Sequence, residues 1–358
     1  MGGLTSVERS AADGDFGAQG GDPTRGVSID LSTCVNRYGP ASAAVAALHA
    51  IQPQDILLHP YDAGDRLKAL YEWATGADPA HLVAGRGASE FIWAMGREVG
   101  AANVAIPLPA YTDYLKAFPG RGFTVHGEQL PTLDLINAAL GSAELVIISN
   151  PHNPTGVQLP RDGLLAVAAE HPGSTLVADE SYINFAPDPA GRSVINCDLP
   201  NVVVIRSTSK FYGIAAVRAG VAWCRDGERL RALFGVQENW GLSGVDVTVA
   251  EAAVRSWDWS DESRARMHAD SAWLADELDK IPGLQLVRND VVHFQYAFCE
   301  RSAAVADVFA RHGIGVRVLS AAHGVRPDAL RIVAPREDER DVVTAALADI
   351  VASGVSEG

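Results

Sequence analysis

The sequence predicts an α/β protein with two parts: a large domain built on a mostly parallel sheet flanked by helices, and a smaller α/β domain at the C-terminus. Three observations support this expectation. Apolar runs of strand length alternate with stretches of helical periodicity up to residue 240. Polar clusters follow the C-terminal ends of these runs, where open α/β sheets bind ligands. The chain has 358 residues, more than a single core usually holds, so two domains are expected.

Composition and charge argue against several classes of protein. The formal net charge of −15 argues against a nucleic-acid surface, which needs basic patches. No apolar run approaches the ~20 residues of a membrane span. The four cysteines lie far apart without a C-x-x-C pair, so we expect neither a disulfide framework nor a metal site. A reduced, cytoplasmic setting is therefore favoured.

The expected domain boundaries follow from changes in composition along the chain. Residues 1–27 are rich in Gly, Ala, Asp and Ser and predict a flexible N-terminal arm. The expected segments after it are 28–50, which packs with the small domain, 51–240, the large domain, and 241–358, the small domain. Asn36 and Tyr38 lie in an extended piece of the second segment. They either line a substrate pocket or anchor the loop, and the sequence leaves both interpretations open.

The first candidate ligand site of the large domain lies between a strand and a helix. The predicted strands of this domain are 81–84, 103–107, 145–149, 175–178 and 201–206, and the predicted helices are 65–75, 91–99 and 161–170. Gly87, Ala88 and Ser89 join the first of these strands to its helix. Small residues there leave free N–H groups at the positive end of the helix, which suits a phosphate. The third glycine of the dinucleotide fingerprint is missing, so a plain tight turn is the alternative.

Polar residues follow the next strands as well. Tyr111 comes after the strand at 103–107 and is placed to stack on a flat ring, although half-buried packing is the common role of such a tyrosine. Asn153 lies in a loop that two prolines and a glycine restrict, so its amide is presented in a set direction. Asp179 directly follows the strand at 175–178, with Tyr182 three residues later. An aspartate there either caps a turn or contacts a ligand.

Lys210 follows the last apolar run of the large domain, with Ser207 before it and Arg218 after it. A lysine held off the surface beside a fixed cation loses proton affinity and becomes a usable nucleophile. Ser207 and Arg218 together suit an anion such as phosphate. An ordinary solvated lysine is the alternative for this loop alone. Several independent loops converge on one edge of the predicted sheet, however, and that convergence favours a ligand site.

The second domain mixes helices and strands, and one of its arginines stands out. The predicted helices are 245–257, 261–280, 303–311 and 338–353, and the predicted strands are 284–287, 292–296, 315–318 and 330–333. Arg331 alternates with the apolar residues Leu330 and Ile332 and therefore lies on the opposite face of its strand. It is either a solvent-exposed arginine or a bidentate clamp for a carboxylate in the cleft between the domains.

Four of these stretches together resemble a known family. They are Asn150–Gly156, Asp179–Tyr182, Ser207–Gly220 and Leu330–Ile332. In order and spacing they are similar to fold-type I pyridoxal-phosphate enzymes of the class I/II aminotransferases, and most similar to the group of histidinol-phosphate aminotransferases and threonine-phosphate decarboxylases. The resemblance covers about residues 29–351. It implies pyridoxal 5'-phosphate as cofactor and a homodimer with the active site at the interface.

The resemblance also implies roles for individual residues. Lys210 forms the internal aldimine and moves the proton, Asp179 pairs with the pyridinium nitrogen, and Tyr182 completes the catalytic set. Tyr182 and Asn153 bind the phenolic oxygen of the cofactor. Tyr111 stacks on its ring, and Gly87, Ala88, Ser89, Ser207 and Arg218 hold its phosphate. Arg331 binds the substrate carboxylate, with Asn36 and Tyr38 as further substrate contacts.

The sequence departs from the group at three places. The usual Asn-Glu-Asn-Pro-Tyr-Gly-Pro is replaced by the stretch Cys34–Pro40, and the usual Tyr-Pro-Asp by His59-Pro60-Tyr61. Either ring of the latter is a candidate for the partner subunit's cofactor phosphate. His293 stands where the group has an asparagine. These departures affect the substrate pocket and the dimer contact, and the cofactor contacts are retained.

The expected activity is transfer of an amino group between an α-amino acid and a 2-oxo acid. An α-decarboxylase, or another lyase or oxidative reaction with the same cofactor, is the alternative, because the contacts that select the bond to be broken are not visible in sequence. A non-catalytic sensor module is a third hypothesis. Such modules are joined to a DNA-binding domain, for which the N-terminal arm is too short.

Overall fold

The structure is a computed structural model that describes residues 4–6, 26–99, 103–125, 129–235, 238–320, 324–325 and 328–357. The strands are β1 (Leu4–Ser6), β2 (Ile29–Asp30), β3 (Leu82–Gly85), β4 (Val104–Pro107), β5 (Gly122–Val125), β6 (Leu145–Ser149), β7 (Thr175–Asp179), β8 (Val202–Ser207), β9 (Gly220–Cys224), β10 (Gln285–Val287), β11 (Phe294–Phe298), β12 (Ile314–Gly315), β13 (Arg317–Leu319) and β14 (Ala329–Val333). The α-helices are α1 (Ser42–His49), α2 (Ala63–Thr75), α3 (Ala88–Glu98), α4 (Thr112–Ala117), α5 (Leu133–Leu140), α6 (Arg161–Glu170), α7 (Pro189–Arg192), α8 (Gly227–Phe234), α9 (Gly244–Val254), α10 (Trp257–Leu278), α11 (Ser302–Arg311) and α12 (Arg340–Ser353).

The large domain is built on an eight-stranded sheet with the order β1-β5-β4-β6-β7-β8-β9-β3. The five strands β5, β4, β6, β7 and β8 are parallel neighbours. Because β9 is antiparallel to both β8 and β3, β3 runs in the same direction as the five. The C-terminal ends of these strands therefore share one edge of the sheet, and the start of β9 lies there too. The predicted mostly parallel sheet is confirmed.

Both faces of this sheet are covered by helices. Along β6, Val146 and Ile148 belong to the apolar cluster formed with α2, α5, α6 and α9. Leu145 and Ile147 belong to the opposite cluster, formed with α3, α4 and α8. Successive side chains of a strand point to opposite faces, so a strand buried on both sides needs a continuous apolar run. That is why these strands were recognisable from sequence.

The small domain has an antiparallel four-stranded sheet with the order β10-β11-β14-β13. Its core is shared with α10, α11 and α12. The short strand β2 pairs with β12, which ties the start of the 28–50 segment to this domain. Ala44 of α1 and the buried residues of α9 instead belong to a large-domain cluster. The 28–50 segment thus packs against both domains, and the expected boundary at 240/241 lies before a helix that packs with the large domain.

The N-terminal arm is described at Leu4–Ser6, whose backbone pairs antiparallel with β5. Most of the arm predicted at 1–27 lies outside the described residues. Short elements were missing from the expectation, among them β5, α4, α5 and α8. No helix within the described ranges combines the length and apolarity needed to cross a membrane.

Candidate active site

A cavity of about 260 Å³ lies at the shared strand edge, where the two domains meet. The predicted site residues that line it are Ala88, Ser89, Tyr111, Asn153, Asp179, Tyr182, Ser207, Lys210, Arg218 and Arg331. They come from the loops after β3, β4, β6, β7 and β8, from the segment before β9, and from β14. The fold therefore brings together residues that are far apart in the chain.

One end of the cavity has the form of an anion cradle. Gly87 has a φ of +75° and caps the start of α3, so the first N–H groups of the helix are exposed there. A Cβ atom at this position would lie 3.0 Å from Arg218 Nη2 and 3.5 Å from Ser207 Oγ. Among the described residues, Arg218 has no carboxylate partner for its guanidinium. Backbone donors, a hydroxyl and a cation thus converge on one point, which suits a phosphate group.

Ser209 belongs to this cradle and was not predicted. Its Oγ lies 2.8 Å from Ser207 Oγ, and it lines the cavity. The signal was present in the sequence, because residues two apart in an extended segment point to the same side. Ser209 is therefore a further candidate for the phosphate contact.

Asp179 is a buried carboxylate held in place by neutral donors. Its Oδ2 accepts a hydrogen bond of 2.7 Å from the Tyr114 hydroxyl. Its Oδ1 accepts from the Ser181 backbone N–H at 2.9 Å and from the Ser181 hydroxyl at 2.5 Å. Burial raises the pKa of Asp179, although these hydrogen bonds oppose the rise. Among the described residues no cation pairs with it, so a ligand with a protonated ring nitrogen would supply the missing partner.

Lys210 lies in the same cavity, close to two arginines. Burial lowers the pKa of its amine, and the positive charges of Arg331 and Arg218 lower it further. Its backbone carbonyl accepts a hydrogen bond of 2.9 Å from the Asn36 N–H, which holds the lysine loop against the N-terminal segment. A lowered pKa increases the neutral fraction of the amine, which is the form that attacks an aldehyde. The surroundings therefore favour the nucleophilic interpretation over the solvated one.

Arg331 projects from β14 into the cavity. Its Nη1 donates to Asn153 Oδ1 at 2.6 Å and its Nη2 to the Ser32 carbonyl at 2.7 Å. Its Nε is buried without a hydrogen-bond partner. Arg317 lies directly opposite on β13 and also lines the cavity. An incompletely satisfied guanidinium fixed by two neutral oxygens is suited to bind a carboxylate or a phosphate.

The two predicted tyrosines line the cavity between these charged groups. Tyr182 is buried, which raises the pKa of its hydroxyl, and the nearby Cys34 thiol acts in the same direction. Tyr111 caps α4, and its hydroxyl donates to Asp113 Oδ2 at 3.1 Å. The ring of Tyr111 meets the ring of Tyr114 edge-on, with centroids 5.6 Å apart. Tyr111 lines the cavity, where Cys34 is an additional lining residue.

Asn36 and Tyr38 are not brought into the cavity. The Asn36 amide donates to the Phe211 carbonyl at 2.8 Å and to Ser263 Oγ at 2.7 Å, and its Oδ1 accepts from the Tyr38 N–H at 2.9 Å. The Tyr38 hydroxyl donates to Asp270 Oδ2 at 2.5 Å. Both side chains therefore anchor the loop against α10 and its surroundings. Of the two interpretations that the sequence left open, the geometry favours anchoring within this chain.

The other departures also lie away from the cavity lining. The His59 ring stacks on Trp240, with centroids 4.1 Å apart, and Tyr61 meets Trp240 edge-on. His293 is buried, stacks on Phe185 at 4.0 Å, and has no hydrogen-bond partner on either ring nitrogen. Burial lowers the pKa of His293 well below its usual value, so its ring is neutral.

The residues present fit pyridoxal 5'-phosphate. The cradle at Gly87 has space where a side chain would collide and donors where a phosphate needs them. The buried Asp179 carboxylate has no cation, which a pyridinium nitrogen would provide. The Lys210 amine is available for the aldehyde. Among the described residues there is no cluster of His, Cys, Asp and Glu that could hold a metal ion.

Comparisons with known proteins agree with a site for pyridoxal 5'-phosphate. The family model described as "Aminotransferase class I and II" matches residues 28–347. A histidinol-phosphate aminotransferase from Dinoroseobacter shibae is 32% identical over 307 residues, covering 82% of this chain and 83% of the relative. Histidinol-phosphate aminotransferase 2 from Archaeoglobus fulgidus is 30% identical over 329 residues, covering 90% and 93%.

Solved structures show the same fold. Histidinol-phosphate aminotransferase from Sinorhizobium meliloti in complex with pyridoxal-5'-phosphate superposes with a TM-score of 0.80 at 24% identity, covering 91% of this chain and 92% of the other. L-threonine-O-3-phosphate decarboxylase from Porphyromonas gingivalis has a TM-score of 0.78 at 18% identity, covering 90% and 99%. The chain thus has the fold-type I architecture. It belongs to the class I and II aminotransferase family and is a pyridoxal-phosphate-dependent aminotransferase.

Proposed function

We propose that this aminotransferase moves an amino group between an α-amino acid and a 2-oxo acid, and that Lys210 is the residue to which the cofactor is attached. The observation that carries the proposal is the Lys210 amine, whose pKa is lowered by burial, in one cavity with Asp179 and Arg331. When bound, the cofactor supplies an electron-withdrawing ring that acidifies the substrate Cα–H bond.

The proposed roles follow from the groups that each residue offers. With the cofactor bound, Lys210 Nζ would take up the proton from the substrate Cα and pass it on to the cofactor as the amino group is transferred. The Asp179 carboxylate keeps the ring nitrogen protonated, and Tyr114 and Ser181 hold that carboxylate in place. Tyr182 and Asn153 bind the phenolic oxygen. The ring of Tyr111 covers one face of the cofactor.

The phosphate and the substrate are bound by the remaining residues. In the proposed complex the phosphate accepts hydrogen bonds from the N–H groups at Gly87, Ala88 and Ser89, and from Ser207, Ser209 and Arg218. Arg331 binds the substrate carboxylate with the donors that the protein leaves unused, including its buried Nε. Asn153 and the Ser32 carbonyl fix the plane of the guanidinium. No substrate contact is assigned to Asn36 or Tyr38 within this chain.

A substrate with a phosphate ester is the second candidate for the amino donor. Arg317 and Arg331 are direct cross-strand partners, so two guanidinium groups project from the same face of the small sheet toward the cavity. Two arginines suit a doubly charged phosphate better than a single carboxylate. Relatives that are 30–32% identical are named histidinol-phosphate aminotransferases, which favours this candidate.

The test is the half-reaction of the holoenzyme with single donors. A panel of amino acids and L-histidinol phosphate is added without an acceptor, and the absorption of the lysine-linked cofactor is followed together with the carbonyl product. We expect one donor class to convert the cofactor to its amino form stoichiometrically. Failure of every donor would contradict the proposal. Release of carbon dioxide without an acceptor would instead favour the decarboxylase alternative, which the comparisons support less.

Two further parts of the proposal concern the assembly and the compartment. The proposed assembly is a homodimer with the active site at the interface, and its support is a cluster of exposed apolar residues: Ile56, Leu57, Leu58, Tyr61 and Trp240. Contiguous apolar surface of this kind marks protein contacts. The proposed compartment is the cytoplasm, which suits four buried cysteines that are all unpaired.

A further inference from the structure

A second cavity, of about 470 Å³, lies on the other side of the catalytic segments. Residues of α2, of the loop at 183–196 and of the first turns of α10 enclose it. Side chains alternate along a strand, so neighbours of the active-site residues point away from the active cavity. Ser207 lines the active cavity, whereas Arg206 lines the second one. Tyr212, two residues after Lys210, lines it as well.

The floor of this cavity is a buried ion pair that is already satisfied. Arg206 Nε donates to Glu180 Oε2 at 2.9 Å, and its Nη2 donates to Ser193 Oγ at 2.6 Å. Glu180 also accepts from the Ser193 hydroxyl at 2.6 Å. Only Nη1 of Arg206 has no hydrogen-bond partner among the described residues. The pair is therefore neutral overall, and one of its donors remains available to a ligand.

Two tyrosine hydroxyls in the cavity are also without partners. Within the described part of the chain, neither the Tyr71 nor the Tyr212 hydroxyl makes a hydrogen bond, although Tyr71 is only 7% exposed. Neither hydroxyl is among the buried polar atoms without a partner, so both are open to the cavity, where a ligand or water can bind them. Burial raises the pKa of both hydroxyls, that of Tyr212 to about 12, so both are protonated and can donate.

The charged groups at the mouth add further donors. Arg161 Nε donates to the Ser193 carbonyl at 2.9 Å, and Arg264 Nε to the Asn184 carbonyl at 3.1 Å. Their carboxylate partners, Asp162 and Asp261, have side chains 93% and 74% exposed, so these ion pairs are weak. Asp188 also lines the cavity, where its Oδ1 accepts from the Gly191 N–H.

We propose that this cavity binds a small organic anion. Its carboxylate or phosphate group accepts hydrogen bonds from Tyr71, Tyr212 and Arg206, and Arg161 and Arg264 attract it to the mouth. The site is separate from the active cavity and does not depend on the identity of the amino donor. A ligand there contacts α10 and also the segments that carry Lys210 and Asp179. Its binding therefore depends on how the two domains pack against each other.

Equilibrium dialysis of the holoenzyme tests the proposal, because the bound cofactor occupies the phosphate cradle of the active site. Labelled inorganic phosphate and labelled citrate are the two probes, and they distinguish a phosphate from a carboxylate ligand. We expect saturable binding of at least one probe. Tyr212→Phe, Tyr71→Phe and Arg161→Gln should each raise its Kd at least about fivefold, since each removes a hydrogen-bond donor or a charge while largely keeping the shape.

Two control variants separate this cavity from the rest of the protein. Arg288→Gln removes an arginine on the exposed surface of the small domain and should leave the Kd unchanged. Arg331→Gln alters the active cavity and should also leave it unchanged. Absence of saturable binding of both probes would overturn the proposal. So would an affinity that falls with Arg331→Gln and is insensitive to Tyr212→Phe.

Discussion

At the scale of single residues, the chemistry of the site depends on which charges the protein leaves without partners. Asp179 is buried beside neutral donors, and Lys210 is buried beside two arginines. Each arrangement is unfavourable without a ligand, because burial penalises a charge that has no counter-ion. A pyridinium nitrogen and an aldehyde relieve both. The unpaired charges of the apoprotein are therefore complementary to groups of the cofactor.

The lowered pKa of Lys210 predicts how cofactor attachment depends on pH. Only the neutral amine attacks an aldehyde, so the attachment rate of the apoenzyme should rise with pH and level off below the ~10.4 of an ordinary lysine. Stopped-flow absorbance between pH 6 and 10 measures this. The same shift should make the stability of the apoenzyme rise with pH above the lowered pKa, up to about 10.4, because the unfolded chain binds the extra proton.

A matched variant isolates that titration. Lys210→Met keeps the length of the side chain without the amine, so the contribution of this lysine to the pH slope of the unfolding free energy should disappear. Turnover should fall by at least about 10³-fold, because the residue proposed to attach the cofactor and to move the proton is lost. A Lys210→Met enzyme with ordinary turnover would exclude Lys210 from the proposed role.

Tyr114 is predicted to strengthen cofactor binding through its hydrogen bond to Asp179. Its hydroxyl donates the 2.7 Å hydrogen bond that helps to keep this carboxylate ionised. Tyr114→Phe should raise the pKa of Asp179 further and weaken cofactor binding by about 1.5 kcal/mol, roughly tenfold in Kd. The Kd is measured from cofactor absorbance. Tyr296→Phe is the control, because the Tyr296 hydroxyl is buried without a partner; an equal effect of both variants would contradict a specific role.

At the scale of elements, the phosphate cradle is the junction of β3 and α3. Its geometry requires a residue with a positive φ and no side chain, because a Cβ at Gly87 would press on Arg218 Nη2 at 3.0 Å. The antiparallel pairing of β9 with β8 and β3 brings the segment before β9, and with it Arg218, to the same edge.

Gly87→Ala tests this junction, and Gly120→Ala is its matched control. Both glycines have a φ of +75°, but nothing lies within 4 Å of a Cβ built at Gly120. Each variant should lose about 1 kcal/mol of stability from backbone strain. Only Gly87→Ala should weaken cofactor binding, by about tenfold or more, because its methyl group displaces the cation of the cradle. Equal cofactor affinity in the two variants would contradict the assignment of the cradle.

At the scale of the whole molecule, the active cavity is closed by contributions from both domains. Arg331 comes from the small domain, Asn153 from the large one, and Ser32 from the N-terminal segment, and hydrogen bonds join all three. The segment is held to the small domain by the pairing of β2 with β12 and by the ion pair of Arg37 with Glu339. Relative movement of the domains would therefore alter the substrate site directly.

The proposed homodimer predicts the effect of a charge in the exposed apolar cluster. Leu57 is 77% exposed there, whereas Val351 on α12 is 47% exposed outside it. Leu57→Asp should shift the protein toward the monomer in sedimentation velocity and lower cofactor affinity, because burying an unpaired carboxylate in an interface is unfavourable. Val351→Asp should leave the assembly unchanged. A wild-type protein that is monomeric at high concentration would refute the proposed assembly.

The sequence by itself determined most of the fold, because strands buried on both faces are continuous apolar runs and their polar ends are conspicuous. The strand predicted at 145–149 and the helix predicted at 161–170 have the bounds found in the structure. It also singled out ten of the residues that line the active cavity, through motifs whose residue types match the groups they are proposed to bind. Elements such as α4, with six residues, were missed because so short a stretch has no clear period.

Only the tertiary structure decided which side chains meet. Tyr114 and Asp179 are 65 positions apart, and nothing local indicates their hydrogen bond. Asn36 carries a suitable side chain for a substrate contact, but its amide is engaged by Phe211 and Ser263, which are brought near by the packing of separate elements. The second cavity depends in the same way on how α10 packs against α2. Residue types and the spacing of apolar residues are local properties of the sequence, whereas these contacts exist only in the folded chain.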